Sequence, residues 1–398
     1  MTAEKCCKPG KADKMKRKIL AVLVATALIA SLFTSCDSGT SSTASSSQQT
    51  SSVSDATDSS ASDNVSGNDE STDSSDSAES ADSKTDSGTS SDDTENQLTA
   101  DDMFSDRDLS GEYSECVDIM LNNSTASCSD SSVTVTDGSV TITKAGTYKL
   151  SGTFTGQIIV NAGDSDKVQL VLDNASITKD GSAALYVINA DKVFVTTVNG
   201  TENTLASTGE FASSDDETNI DGAVFSKSDI TFNGSGTLNV NCESKHGIVT
   251  KDDLKITGGT YNITSASQGL SGKDSVRIAG GNITVTSGTD GIHSENADDT
   301  EKGYVYISGG TVNITSGKDC IDASGTIDIK DGTFTLNAGG GSSEKTTGDD
   351  SESYKGVKAD GVLTISGGTF TIDTLDDAIH SNTDVTVTGG TFDISTGD

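Results

Sequence analysis

The sequence predicts an all-β solenoid, a single-stranded parallel β-helix of about 22 residues per rung, and three observations predict it. First, a phrase of the form Val-x-Ile-x-Gly-Gly-Thr-[Phe/Tyr/Val]-x-Ile, then a few polar residues and Asp-[Gly/Ala/Cys]-Ile-[His/Asp]-[Ser/Ala], recurs to the end of the chain. Second, the later glycine of its corner falls at Gly236, Gly259, Gly281, Gly310, Gly332, Gly368 and Gly390, so successive positions differ by 23, 22, 29, 22, 36 and 22. The base period is 22, and the long intervals are that unit with 7 and 14 residues added, which is how a solenoid absorbs loops without changing its turn. Third, apolar residues alternate with polar ones between the corners, the signature of strands with one buried face.

The alternation assigns directions within a rung. In the first strand Val276/Ile278, Val305/Ile307, Ile327/Ile329, Leu363/Ile365 and Val385/Val387 point inward, with Arg277, Tyr306, Asp328, Thr364 and Thr386 between them. After the glycine corner the second strand repeats the pattern with Tyr261/Ile263, Ile283/Val285, Val312/Ile314, Phe334/Leu336, Phe370/Ile372 and Phe392/Ile394. A third, short strand carries one inward aliphatic residue: Leu270, Ile292, Ile321, Val357 or Ile379. Three strands and three corners in one period fit a rung in which each strand pairs with its own copy one turn away, at about 4.8 Å. A hexapeptide helix would need a period of about 18 and fits worse.

Upstream of the repeats the chain changes character three times. Residues 1–36 read as a secretory signal: Lys14 to Lys18 precede the apolar run Ile19 to Phe33, and Met15 is the more typical start. Phe33-Thr34-Ser35-Cys36 resembles a bacterial lipoprotein signal box, which makes Cys36 the lipidated first residue of the mature chain; an ordinary signal peptide and an uncleaved anchor are the other readings. Residues 37–108 are a Ser/Asp-rich linker, too poor in apolar groups to offset chain entropy, and read as a disordered tether. Residues 109–204 are strand-rich but irregular and are expected to hold an N-terminal cap and the first rungs, since an open β-helix end exposes unpaired backbone. Residues 205–398 are the regular repeats, and the stop at Asp398, where the next Asp-Gly-Ile-His strand would begin, reads as a truncation. Cys116 and Cys128 are close enough in the cap to pair, whereas Cys242 and Cys320 sit on separate rungs.

The 398 residues carry 61 acids against 26 bases, a formal net charge of -35, which argues against nucleic acid as a partner. The chemistry lies in the third strand. Stacked rung on rung, its first position reads His246, Gln268, Asp290, Asp319, Lys355, Asp377, and the position three residues on reads Val249, Ser271, His293, Asp322, Lys358, His380. Carboxylates of Asp290 and Asp319 on adjacent rungs repel by about 1 kcal/mol in water and 3 to 4 at an effective dielectric of 20, so a half-buried ladder calls for a counter-charge. Calcium, which takes carboxylate, carbonyl and water oxygens, is the expected one outside a cell. The 7-residue insertion brings Asp298 and Asp299 to the Asp290 rung, Asp376 and Asp377 repeat the acid pair further on, and Lys355 and Lys358 are placed to act where no metal does. The bland reading is a set of solvated acids, and for His293 and His380 a polar ladder.

Four phrases, Gly291-Ile292-His293-Ser294, Asp376-Asp377-Ala378-Ile379-His380-Ser381-Asn382, Gly339-Gly340-Gly341-Ser342-Ser343 and Tyr354-Lys355-Gly356-Val357-Lys358-Ala359, with Val168 to Asp173 upstream, carry a resemblance. From about Ser131 to Asp398 the chain resembles a family of bacterial cell-surface carbohydrate-binding proteins. The resemblance implies a right-handed parallel β-helix shaped like pectate lyases, calcium binding, and association with cellulose and pectic polysaccharides such as polygalacturonate. It implies a lipid-anchored surface protein, touching the membrane only through its anchor, and a monomer is expected. A structural stalk without a sugar site is the first alternative. A lyase or hydrolase is the second, but a lyase needs a base, and beyond residue 109 Arg277 is the only arginine beside the lysines.

Overall fold

In a computed structural model of the chain, residues 103–211, 219–344 and 352–397 are described. The signal segment, Cys36 and the tether up to residue 102 lie outside them, as do Asp349 and Asp350 of the 14-residue insertion.

The rungs stack as a parallel β-helix with three ladders of strands. Register follows the repeat: in the first ladder Val276 faces Val305 and Arg277 faces Tyr306; in the second Ile283 faces Val312; in the third Ile292 faces Ile321 and His293 faces Asp322. The inward positions named above form one continuous core up to the last rung, with Val276, Ile278, Ile283, Ile292, Val305 and Ile321 fully buried and Ile379 and Phe392 packed against it. Phe334, Phe370 and Phe392 stack at centroid separations of 4.5 and 4.8 Å, so the rings repeat at the spacing of the strands that carry them. Val385, Val387 and Ile394, on the last rung, are 45 to 48 % exposed because no described rung lies over them. The corner between first and second strands needs glycine: Gly310 has φ +100°, and a Cβ there would sit 3.0 Å from the Gly281 carbonyl oxygen one rung away.

The N-terminal part departs from the repeat in two ways. Gly146–Thr155 and Lys167–Asp180 run through both of the first two ladders: Lys167 to Leu172 pairs with Lys192 to Thr197, and Ser176 to Asp180 pairs with Thr204 to Thr208. Two antiparallel pairs, Val117–Asn123 with Thr125–Ser127 and Val133–Thr136 with Ser139–Ile142, supply the irregular start. Cys116 and Cys128, whose pairing the sequence leaves open, are both free thiols, as are Cys242 and Cys320.

The linker expected to reach residue 108 ends earlier. Met103 to Gly111 lies as a strap across the outer face of the first ladder, with a short helix Asp106–Leu109 closed by a reciprocal Ser105/Asp108 cap. Asp108 is fully buried. Its carboxylate meets Lys192 Nζ at 2.9 Å and Lys255 Nζ at 3.5 Å and accepts from Thr231 Oγ1 at 2.7 Å. The Phe104 ring lies 6.1 Å from Tyr306, and the Arg107 guanidinium 4.4 Å from the Phe194 ring. Burial raises the Asp108 pKa, but the two ammonium groups outweigh it and hold the carboxyl far below the usual range.

Two stability predictions follow from this packing. Asp108→Asn leaves two buried ammonium groups without their carboxylate and is expected to destabilise by about 3 kcal/mol or more, read by chemical denaturation near neutral pH. Tyr261 is wholly buried with a hydroxyl that has no partner, so Tyr261→Phe is expected to stabilise by roughly 1 kcal/mol in the same assay.

Candidate functional site

The first position of the third strand has a backbone role that explains its polar residues. At three of these positions the N–H points along the stack to the side chain one rung earlier, which accepts it. Gln268 N–H donates to His246 Nδ1 at 3.1 Å, Asp319 N–H to Asp290 Oδ1 at 3.2 Å, and Lys355 N–H to Asp319 Oδ1 at 2.6 Å. Lysine has no acceptor, so at the rung after Lys355 the ladder is mended locally: Asp377 N–H turns to Asp376 Oδ1 at 2.8 Å. The acids of this column are therefore partly structural, and any further role uses the oxygens left over.

Those oxygens converge on the position three residues on. Asp322 Oδ2 lies 3.0 Å from His293 Nδ1, which is 3.8 Å from Asp290 Oδ2, and one donor from each of Asp290, His293 and Asp322 lies within 4.8 Å of the others. Lys358 Nζ, on the next rung, reaches Asp322 Oδ1 at 2.9 Å and Asp319 Oδ2 at 3.5 Å. His293 Nε2 faces Glu295 at 3.4 Å, and Gln268 Nε2 donates to Asp290 at 3.4 Å. Burial pushes Asp290 and Asp319 above the usual carboxylate range. Burial would do the same to Asp322, but hydrogen bonds from His293 and Lys358 outweigh it and hold it low. Burial disfavours charge on His293 and Lys358 too, and again the Asp322 contact wins, raising both. Beside the cluster opens a groove of about 330 Å³, lined by His246, Gln268, Ser271, Lys273 and His293 among others.

The other expected ligands fall elsewhere. Asp298 lines the same groove, but its carboxylate is paired with Lys273 at 2.8 Å. Asp299 shapes the inserted loop, accepting the Glu301 N–H at 3.0 Å while Asn296 Oδ1 accepts its own. Asp376 and Asp377 form a second, separate group: both face Lys355, and the Asp377 carboxylate accepts from His380 Nδ1 at 3.0 Å. From the 14-residue insertion Glu352 pairs with Lys318, and Ser353 donates to Asp319 at 2.7 Å. Burial pushes the Cys320 thiol up to about 12, so it is no thiolate nucleophile.

Sequence reasoning passed over a third acid group, at the corner leading into the first strand. Asp229, Asp252, Asp253 and Asp274 lie there on three successive rungs, with Asp229 Oδ1 accepting the Asp253 N–H, Arg277 on Asp253 at 2.7 Å and Lys302 on Asp274 at 2.6 Å. Burial first, then the charge of Asp229 and a hydrogen bond shared with Asp274, push the Asp252 carboxyl up to about 7. The only signal was three acids at rung spacing, without a motif.

Comparison with known proteins bears on what such a surface does. A family profile described as "carbohydrate-binding domain-containing protein" matches residues 136–398. The chain belongs to that family. A relative of the same description from Acetivibrio thermocellus is 46% identical over 164 residues, 41% of this chain; the match spans 57% of the relative's length. A polysaccharide lyase-like protein from C. thermocellum, solved as a gadolinium derivative, superposes with a TM-score of 0.56 at 29% identity, over 70% of this chain and all of that one. This member of the carbohydrate-binding family thus shares its β-helix with a lyase-like protein.

An acid whose pKa is raised on folding stabilises the fold fully below its unfolded value and loses that contribution as pH rises through the folded one. Asp252 therefore makes stability fall between about pH 4 and pH 7. Asp252→Asn is expected to flatten that fall, measured as the melting temperature across the interval; an unchanged slope would count against the assignment.

Proposed function

We propose that the third-strand face from Gln268 to Lys358 binds an acidic polysaccharide of the polygalacturonate type, with calcium between sugar carboxylates and the protein's own, and does not cleave it. The observation that carries this is the stack of Asp290, Asp319 and Asp322, which has Lys358 as counter-charge and the His293 imidazole as a hydrogen-bond partner and remains short of positive charge. The donors suit calcium in part. Asp290 and Asp322 offer hard oxygens close together, whereas His293 nitrogen is a poor calcium ligand and would have to give up Asp322. Calcium takes six to eight oxygens, more than these residues supply, so a uronate completes the shell and ion and glycan bind together. Lys273 on the groove wall is held by Asp298, and a uronate carboxylate would have to share that ammonium with it.

The name of the lyase-like relative favours a second reading, cleavage at the same face. Against it stands Lys358, the base nearest the acids: paired twice and with its pKa raised, it stays protonated and cannot abstract a proton at ordinary pH. The same proposal places the protein on the outer face of a bacterial membrane, lipidated at Cys36 and held out by its acidic tether, as a monomer.

Affinity electrophoresis of the full chain through polygalacturonate, with calcium and with chelator, tests the reading while absorbance reports new unsaturated ends. Calcium-dependent retardation without new ends is expected. Asp290→Asn keeps the acceptor for the Asp319 N–H but removes the charge, and is expected to weaken retardation roughly tenfold with an unchanged melting temperature. Equal retardation in chelator would overturn the calcium bridge, new ends would favour the lyase, and none under either condition would favour a stalk.

A further inference from the structure

The carboxyl group that anchors the strap is surrounded as a reacting group would be. Asp108 is fully buried and Lys255 is 2 % exposed, so acid and amine meet away from water. Asp108 Oδ1 accepts from Thr231 Oγ1 at 2.7 Å and faces Lys192 Nζ at 2.9 Å, while Oδ2 accepts from the N–H and the Oγ of Ser105 at 3.0 and 2.9 Å. Lys255 Nζ stands 3.5 Å from Oδ2, beyond the usual hydrogen-bond range of about 2.7 to 3.2 Å. Donors therefore hold both oxygens, and a second amine waits beside them.

Two ammonium groups against one carboxylate are costly to bury. Of the acids nearby, Asp253 is taken by Arg277, and burial together with the Asp253 charge pushes the Asp229 carboxyl up. Burial opposes charge on Asp108 and Lys255 alike; in Lys255 it prevails, the Lys192 charge adding to it, and the amine is held below the usual lysine range. A desolvated lysine whose proton is loosened is the form in which this side chain acts as a nucleophile.

We propose that Lys255 and Asp108 condense to an isopeptide bond, Nζ to Cγ, which fastens the strap covalently to the first ladder. A proton passes from Nζ to Oδ2, giving a neutral amine and a carboxylic acid. The nitrogen lone pair attacks Cγ, and the charge that develops on Oδ1 is met by Lys192 and Thr231 as in an oxyanion hole. A second nitrogen proton passes to Oδ2, the Cγ–Oδ2 bond breaks, and water leaves. One ammonium and one carboxylate become one amide and one water, so no oxidant or cofactor is required, and the fixed pairing supplies the proximity that free reactants lack. Burial favours the product, since it removes two charges from an apolar site. The remaining ammonium, Lys192, has Asp229 as its register partner one rung on. The link sits where it resists peeling: the strap runs from Phe104 on Tyr306 back to Asp108, and once lifted into water an ion pair dissociates whereas an amide does not. It depends on neither the glycan nor calcium.

The test is a peptide map of the purified full chain, unfolded in denaturant, digested with trypsin and read by mass spectrometry. The peptides Asp108 to Lys144 and Asp252 to Lys273 are expected as one joined species, lighter by one water than their sum, because an acylated Lys255 is no longer cut. Lys255→Met should abolish that species. Thr231→Val should slow its appearance in freshly made chain by about a hundredfold, the loss typical of one oxyanion donor. Separate peptides with Lys255 cleaved in the wild type would overturn the proposal and leave an ion pair, and this outcome needs no variant to fold. A link from Asp108 to Lys192 instead would overturn the assignment of the nucleophile.

Discussion

Each rung finds its backbone partners only in the rungs before and after it, and the rest of the molecule is arranged around that requirement. Hydrogen bonds that leave a strand sideways must meet an identical strand in register, so one residue type tends to fill a whole column: Ile over Ile in Ile292 and Ile321, Phe over Phe in Phe334 and Phe370. The corners obey the same rule. Between strands the chain still has N–H groups pointing along the stack, and His246, Asp290 and Asp319 are polar because each must accept one of them. What looks like a row of ligands is first a solution to a hydrogen-bonding problem.

That solution has an electrostatic cost. Stacked carboxylates repel by about 1 kcal/mol per pair in water and about 4 near a protein surface. Three devices meet it: an ammonium between two acids, as Lys358 stands between Asp319 and Asp322; an imidazole, as His293 stands between Asp290 and Asp322; and proton sharing, as between Asp252 and Asp274. Lysine enters this column at a second cost, since Lys355 cannot accept the next N–H, and Asp376 supplies both the missing acceptor and the counter-charge for Lys355.

Features repeated at the period were legible in the sequence because a column is a statement about neighbours. The pairing of His293 with Asp322, and of Asp322 with Lys358, needed only the 22-residue count and its two insertions. What escaped was unrepeated. Asp108 reaches Thr231 across 123 residues, and its carbonyl reaches Thr257 across 149, contacts no local pattern encodes, so the strap read as the tail of the linker. The two long strands through Gly152 and Asn174 escaped for a related reason: a positive-φ residue stands there as at the later corners, Gly152 at +97° and Asn174 at +54°, yet the strand continues across it and joins two ladders. Asp298 was expected at the acids because it follows them in sequence, but the loop turns it to Lys273.

Neighbour-only coupling also decides how function can be distributed on such a scaffold. In a globule a change at one cleft repacks a shared core, whereas a rung transmits strain chiefly to the next rung, so faces of the same rung can be altered separately. The acid ladder draws its geometry from third-strand register and its charge from Lys358 and His293. An uncharged groove beside Leu109 and Tyr113 draws its geometry from a strap locked to Lys192 and Lys255 on the first ladder, and none of the acids of the third strand contributes to its walls. One scaffold thereby carries surfaces with opposite electrostatic character, one rich in charge that must be balanced and one whose lining side chains carry none.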